Sequence, residues 1–161
     1  MPPIRVRPAR PSDAAGIAAV HVQAWREAYA HLMPADFLAA LDVGRRETGW
    51  NAIIADDSTD VVVATDGSRV VGWATAGAGR DRDPVRDREL EGIYVLAAAH
   101  GTGAGQQLLD AVVADDPAYL WMAEDNPRAE AFYRRNGFTR DGAVQQEAFG
   151  SATVQVVRLV R

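Results

Sequence analysis

Leu90-Glu91-Gly92-Ile93-Tyr94-Val95-Leu96-Ala97-Ala98-Ala99-His100-Gly101-Thr102-Gly103-Ala104-Gly105-Gln106-Gln107-Leu108-Leu109 is the stretch from which the fold is read. A strand enters a tight turn containing three glycines and leaves as a helix, so unpaired backbone N–H groups converge at the helix start. Such a place binds anions. Because Gly101, Gly103 and Gly105 lack Cβ, a pyrophosphate can approach the main chain closely. A dinucleotide fingerprint needs G-x-G-x-x-G, whereas this turn is G-x-G-x-G with Gln106 and Gln107 following. A glycine-rich turn without any ligand is the other reading of the same residues.

Upstream, residues 4–7 alternate as a short strand, Pro8 and Pro11 break it, and Ser12 offers an N-cap to a helix over 13–31. Pro34 suits the first turn of a shorter helix through Phe37, Leu38 and Leu41. Residues 45–54 are ambiguous, with Trp50, Ile53 and Ile54 able to close a third helical turn. A hairpin follows, with strands at 61–64 and 69–76 about an Asp66-Gly67 turn. Residues 77–87 read as an exposed loop with alternating charges, and 88–95 as the fourth strand. Downstream come a helix over 103–114, a strand at 119–123, a helix over 127–136 stopped by Gly137, and strands at 138–146 and 152–160. This order predicts one α/β domain over 1–161. Its expected sheet is mixed and mostly antiparallel, of six to seven strands, with helices on both faces.

The chain of 161 residues is 48% hydrophobic and 24% charged, enough for one core. Its net charge of −5 argues against a nucleic-acid module. All 17 basic residues are Arg, and there is neither Lys nor Cys. A phosphate-loop lysine, a Schiff base, a thiolate nucleophile and a cysteine zinc site are thereby excluded. The three histidines, His21, His31 and His100, form no H-x-x-x-H pair, so no metal is expected. No serine sits in a G-x-S-x-G turn. With no long apolar run and no secretory leader in Met1-Pro2-Pro3, a cytoplasmic protein without membrane contact is expected.

The glycine turn, with His100-Gly101-Thr102-Gly103-Ala104-Gly105, resembles the Gln/Arg-x-x-Gly-x-Gly/Ala signature of the GNAT superfamily of acetyl-coenzyme A-dependent N-acetyltransferases. His100 stands where Gln or Arg is usual. Residues 126–138, Asn-Pro-Arg-Ala-Glu-Ala-Phe-Tyr-Arg-Arg-Asn-Gly-Phe, are similar to the family's second signature, N-x-x-A-x-x-F-Y-x-x-x-G-F. Near the N-terminus, residues 20–29 followed by Met33-Pro34 and Phe37-Leu38 resemble a small bacterial branch.

The resemblance implies that the amides of Gly101, Thr102, Gly103, Ala104, Gly105 and Gln106 hold the coenzyme's pyrophosphate. It further implies that the backbone of Ile93, Tyr94 and Val95 and the side chain of Asn126 meet the pantetheine arm, and that Phe132 and Tyr133 border the coenzyme. An alkylamine with a pKa near ~10.4 must lose a proton before attacking a thioester, and the thiolate that leaves, near ~8.5, gains from a donor. Tyr133 is the implied donor, against a purely packing role for its ring. Glu89 and Glu91 are the candidate bases, since strand alternation puts both on one face with Ile93 and Val95. Glu89 aligns better with the family's strand glutamate, and a solvated carboxylate is the rival reading. His21, Trp25 and Tyr29 form a stripe that walls an acceptor pocket or fills the core. The implied activity is direct acetyl transfer to a primary amine of a small molecule or peptide, with a family tendency to homodimerise. The alternative is a non-catalytic acyl-coenzyme A-binding module.

Overall fold

The computed structural model describes residues 2–161. Its strands are β1 (Ile4–Pro8), β2 (Thr59–Asp66), β3 (Arg69–Ala78), β4 (Arg88–Val95), β5 (Tyr119–Ala123), β6 (Thr139–Phe149) and β7 (Ala152–Val160). They form one sheet in the order β1-β2-β3-β4-β5-β7-β6. Every pairing is antiparallel except β4 with β5, so the expected mixed, mostly antiparallel α/β sheet is what the chain builds.

The helices are α1 (Ala14–Tyr29), α2 (Ala35–Ala39), α3 (Val43–Ala55), α4 (Ala104–Val112) and α5 (Pro127–Arg135). On one sheet face α1 buries Ile17, Val20 and Ala24 together with Trp50 of α3 against Val61, Val63 and Trp73. On the other, α4 buries Ala104, Leu108 and Leu109 against Val62, Ala64 and Ala74, joined by Tyr133 of α5 and by Phe138. Gly72 is required for this second layer. A Cβ there would stand 3.2 Å from Leu108 Cδ1 and 3.0 Å from the Tyr94 carbonyl.

Two local expectations are corrected and two are sharpened. Ser12 does not cap α1; the Asp13 carboxylate instead accepts from the Arg10 amide at 2.7 Å and from the Arg7 guanidinium at 2.7 and 3.0 Å. The ambiguous 45–54 segment is a full helix, started where Asp42 accepts from the Arg45 amide at 2.8 Å. The alternation of the fourth strand is also broken. Gly92 pairs with Thr75 and Leu90 with Ala76, which leaves Glu91 as the extra residue of a bulge. Leu90, Ile93 and Val95 therefore face α4, while Glu89, opposite Gly77, lies on the other face. Finally, the charged 79–87 loop is pinned. Asp81 accepts from the Trp121 indole at 3.1 Å and meets Arg158 at 3.3 Å, while the Asp87 carbonyl accepts from the Gly79 amide.

Leu108 has no exposed surface. Leu108→Ala is expected to cost about 2–5 kcal/mol of stability through lost burial and a residual cavity, read as a lowered urea midpoint with an unchanged slope.

Candidate functional site

Strands β4 and β5 pair only at Glu89 and Tyr119, then part. A cleft of about 900 Å³ opens between them, floored by Leu90 and Met122 and closed at one end by the start of α4. Parallel neighbours that separate leave strand-edge N–H and C=O groups facing each other across a gap, ready for an extended ligand to join them. Ile93, Tyr94 and Val95 line that gap.

The end wall is the glycine turn. Gly103 is the N-cap of α4 with φ of 85°, Gly101 has φ of 78°, and a Cβ on Gly101 would meet no atom within 4 Å. The helix has no side-chain cap, and the amides of Gly101, Gly103, Gly105 and Gln106 donate to no acceptor among the described residues. His100, Gly101, Gly103, Ala104, Gly105 and Gln106 all line the cleft. Thr102 does not. Its hydroxyl donates to the Ala99 carbonyl at 2.6 Å, so its side chain locks the turn from behind. His100 is similarly occupied, its Nε2 lying 3.1 Å from the Val95 carbonyl oxygen.

Helix α5 forms the opposite wall. Asn126 accepts from the Ala129 amide at 3.4 Å as N-cap while still lining the cleft, with Phe132 and Tyr133 about two turns further on. Arg128 and Arg135 line the cleft from the same helix, and Arg135 lies 5.9 Å from the centre of the Phe132 ring. These two cations escaped the sequence reading because their helical face could not be assigned before the packing of α5 was known. Tyr133 is 8% exposed. Its hydroxyl makes no hydrogen bond among the described residues, and burial pushes its pKa above the usual phenol range. Nearby, Tyr29 and Tyr94 share a hydroxyl hydrogen bond of 2.9 Å at the cleft wall.

The two acids part company. Glu89 is 2% exposed and does not line the cleft. Its carboxylate accepts from the Arg80 amide at 2.9 Å, Arg80 Nε at 3.2 Å, Arg80 Nη2 at 2.7 Å and the Tyr119 hydroxyl at 3.1 Å. Burial opposes its charge, but these donors outweigh burial and hold its pKa below the usual range. A carboxylate so fully bonded and turned away from the cleft is a poor proton acceptor, which corrects the preference for Glu89 as base. Glu91 does line the cleft. Burial raises its pKa, the charge of Arg80 opposes this, and repulsion from Glu89 adds to it.

The aromatic stripe divides too. Tyr29 lines the cleft, whereas Trp25 packs against Tyr29, Tyr94 and Phe149, and His21 lies among Trp25, Trp50 and Trp73 and borders a separate cavity of about 420 Å³ with Phe37, Arg46 and Trp50. His21 Nδ1 accepts from the Trp50 indole at 3.1 Å, which fixes the neutral ring with its hydrogen on Nε2. Among the described residues no group of three or more metal-ligating side chains converges, and no helix is long and apolar enough to cross a membrane.

A family model described as "Acetyltransferase (GNAT) family" matches residues 19–138. The uncharacterized N-acetyltransferase YuaI of Bacillus subtilis is 35% identical over 133 residues, 77% of this chain and 74% of that one. PaiA N-acetyltransferase from Thermoplasma acidophilum, solved in complex with coenzyme A, superposes with a TM-score of 0.72 at 14% identity, covering 98% of this chain and 99% of its own. YncA from Salmonella typhimurium, solved with its cofactor acetyl-CoA, gives a TM-score of 0.71 at 20% identity, with 98% and 92% covered. At these identities the structural likenesses establish the fold.

Burial lowers the pKa of His21 to about 4, with the charge of Arg46 adding to the shift. The folded value lies below the unfolded ~6.5, so its stabilising contribution is complete above pH ~6.5 and is lost as pH falls through about 4. His21→Asn is expected to flatten the fall of the melting temperature between pH 6.5 and 4, as followed by circular dichroism.

Proposed function

The chain belongs to the GNAT acetyltransferase family, and we propose that it moves an acetyl group from acetyl-coenzyme A directly to a primary amine of a small molecule or peptide. The observation that carries the coenzyme half is the uncapped start of α4, where free amides and bare glycines face a cleft already bordered by Arg128 and Arg135. Helix-start amides and a positive macrodipole end suit a diphosphate. The parted edge at Ile93, Tyr94 and Val95 suits the amides of a pantetheine arm. When bound, acetyl-coenzyme A supplies the thioester carbonyl and a thiol leaving group.

Glu91 takes the amine's proton, directly or through a water. Its raised pKa brings it nearer the operating pH than an ordinary carboxylate, which is what a general base requires. Tyr133 donates a hydrogen bond to the departing sulfur. A phenol whose pKa is pushed above ~10 does not yield its proton to a thiolate near ~8.5. Tyr133 therefore acts by stabilising charge, an effect of ~1.5–3 kcal/mol for a hydrogen bond to a charged group. The absence of Cys excludes a cysteinyl-acyl intermediate on this protein and is consistent with direct transfer.

Calorimetry with acetyl-coenzyme A, and thiol release across a panel of small amines and short peptides, test both halves. Heat of binding and thiol release that depends on the amine are expected; binding without release for any acceptor would leave only a binding module. Gly101→Asp places a negative side chain in open space at a left-handed position that Asp tolerates. It should weaken acetyl-coenzyme A at least tenfold while leaving the ligand-free melting temperature nearly unchanged. Tyr133→Phe should lower kcat roughly 10–100-fold, as loss of one charge-assisted hydrogen bond predicts, and an unchanged kcat would remove Tyr133 from the reaction.

A further inference from the structure

Arg80 sits between two carboxylates that do different things. Its Nη2 and Nε are 2.7 and 3.2 Å from the Glu89 oxygens, and its Nε also lies 3.1 Å from Glu91 Oε1. The Nε hydrogen is directed at Glu89, so Glu91 has the cation beside it without a hydrogen bond from it. Arginine prefers the two-pronged fork to a carboxylate. Here the fork is held by Glu89, which is anchored in turn by the Tyr119 hydroxyl and the Arg80 amide. The bulge produces this arrangement. It turns Glu89 to the buried side and leaves Glu91, the unpaired residue, at the cleft.

We propose that Glu89 is a positioning residue that keeps the Arg80 fork off Glu91, so that the cleft carboxylate stays free to accept a proton. The role given to Glu91 under Proposed function is the premise. Were Glu89 uncharged, the guanidinium would be released to close on Glu91 and hold it ionised and hydrogen-bonded, a weaker base. The other charges acting on Glu91 do not substitute for this control. Arg88 is engaged by Asp60 at 2.7 Å and by the Val112 carbonyl at 2.6 Å. Strand β3 presents Gly77 beside Glu91 Oε2. Strand β5 presents Tyr119, already bound to Glu89. Across the cleft, α1 contributes Glu27 and Tyr29, the turn after it His31, and α5 Arg128, Tyr133 and Arg135.

The test is a carbon-13 titration of the glutamate carboxyls in the full-length, ligand-free protein, with Glu91→Gln identifying the Glu91 signal. In Glu89→Gln the Glu91 pKa should fall by about one unit or more, through gain of a close forked cation together with loss of repulsion from Glu89; Glu89→Asp, which keeps the charge but withdraws it from the fork, separates the two causes. In Arg80→Met/Glu89→Gln, which removes the cation too, it should return to the wild-type value or above. A Glu91 pKa that is unchanged or raised in Glu89→Gln, or that stays below wild type in the double variant, overturns the proposal. Should Glu89→Gln fail to fold, Glu89→Asp, which keeps the charge but withdraws it by one methylene, is read in its place: a Glu91 value below wild type supports the role and an unchanged one refutes it. Thiol release by Glu91→Gln with the best amine of the panel is a separate readout. If it equals wild type, the base role of Glu91 falls, while the titration still decides what Glu89 does to Arg80.

Discussion

The separation of β4 from β5 after one residue pair is the constraint around which this molecule is arranged. Two parallel strands inside a sheet would ordinarily complete their ladder, because unpaired backbone groups away from water are costly. Here the strands are forced apart by what each is bonded to on its far side. Strand β4 is held by β3 through a bulge, and β5 by all five of its residues to β7. The two flanking hairpins lie on either side of the wedge, with the start of α4 closing one end and α5 forming a wall. Everything that reads as chemistry lies along that wedge: bare amides at one end, phenols in the wall, a carboxylate at the bulge.

The fold is largely legible in the sequence, and for identifiable reasons. Strands at 88–95, 119–123 and 152–160 coincide with those observed because each is bounded by unambiguous turn residues. The glycine turn was readable because only glycines suit the left-handed positions at 101 and 103. Helix α3 resisted because its sequence, from Val43 to Ala55, carries two glycines and a weak apolar stripe, and its start depends on the Asp42 cap.

The site was legible in outline but not in its assignments. A strand of alternating residues implies a face for each side chain, and one inserted residue reverses the rest. Nothing in Arg88-Glu89-Leu90-Glu91-Gly92 marks which residue is the inserted one, so Glu89 and Glu91 could not be told apart by counting. A signal did exist for Arg80. An acid inside a strand requires a cation if it is buried, and the adjacent loop is rich in arginine. That loop reads as solvated only when its charges are considered apart from the strand beside it. The aromatic stripe at 21, 25 and 29 spans about two turns of α1, enough for its two ends to meet different surroundings: His21 an indole cage, Tyr29 the cleft.

The back of the glycine turn is stitched by two short contacts, Thr102 to the Ala99 carbonyl and His100 to the Val95 carbonyl. Each closes a ring of only a few residues; the Thr102 oxygen also accepts from the Ala104 amide at 3.4 Å, and the amides of Gly101, Gly103, Gly105 and Gln106 are left without an acceptor among the described residues. The loop's shape is thus set by its own sequence, and its donors are aligned before any anion arrives. A guest meeting such a surface freezes little additional main-chain motion, so more of its contact energy is expressed as affinity. His100, which stands where the resembled signature has Gln or Arg, therefore serves here as a fastener, and the rigidity it gives the loop favours an anion that the loop amides meet.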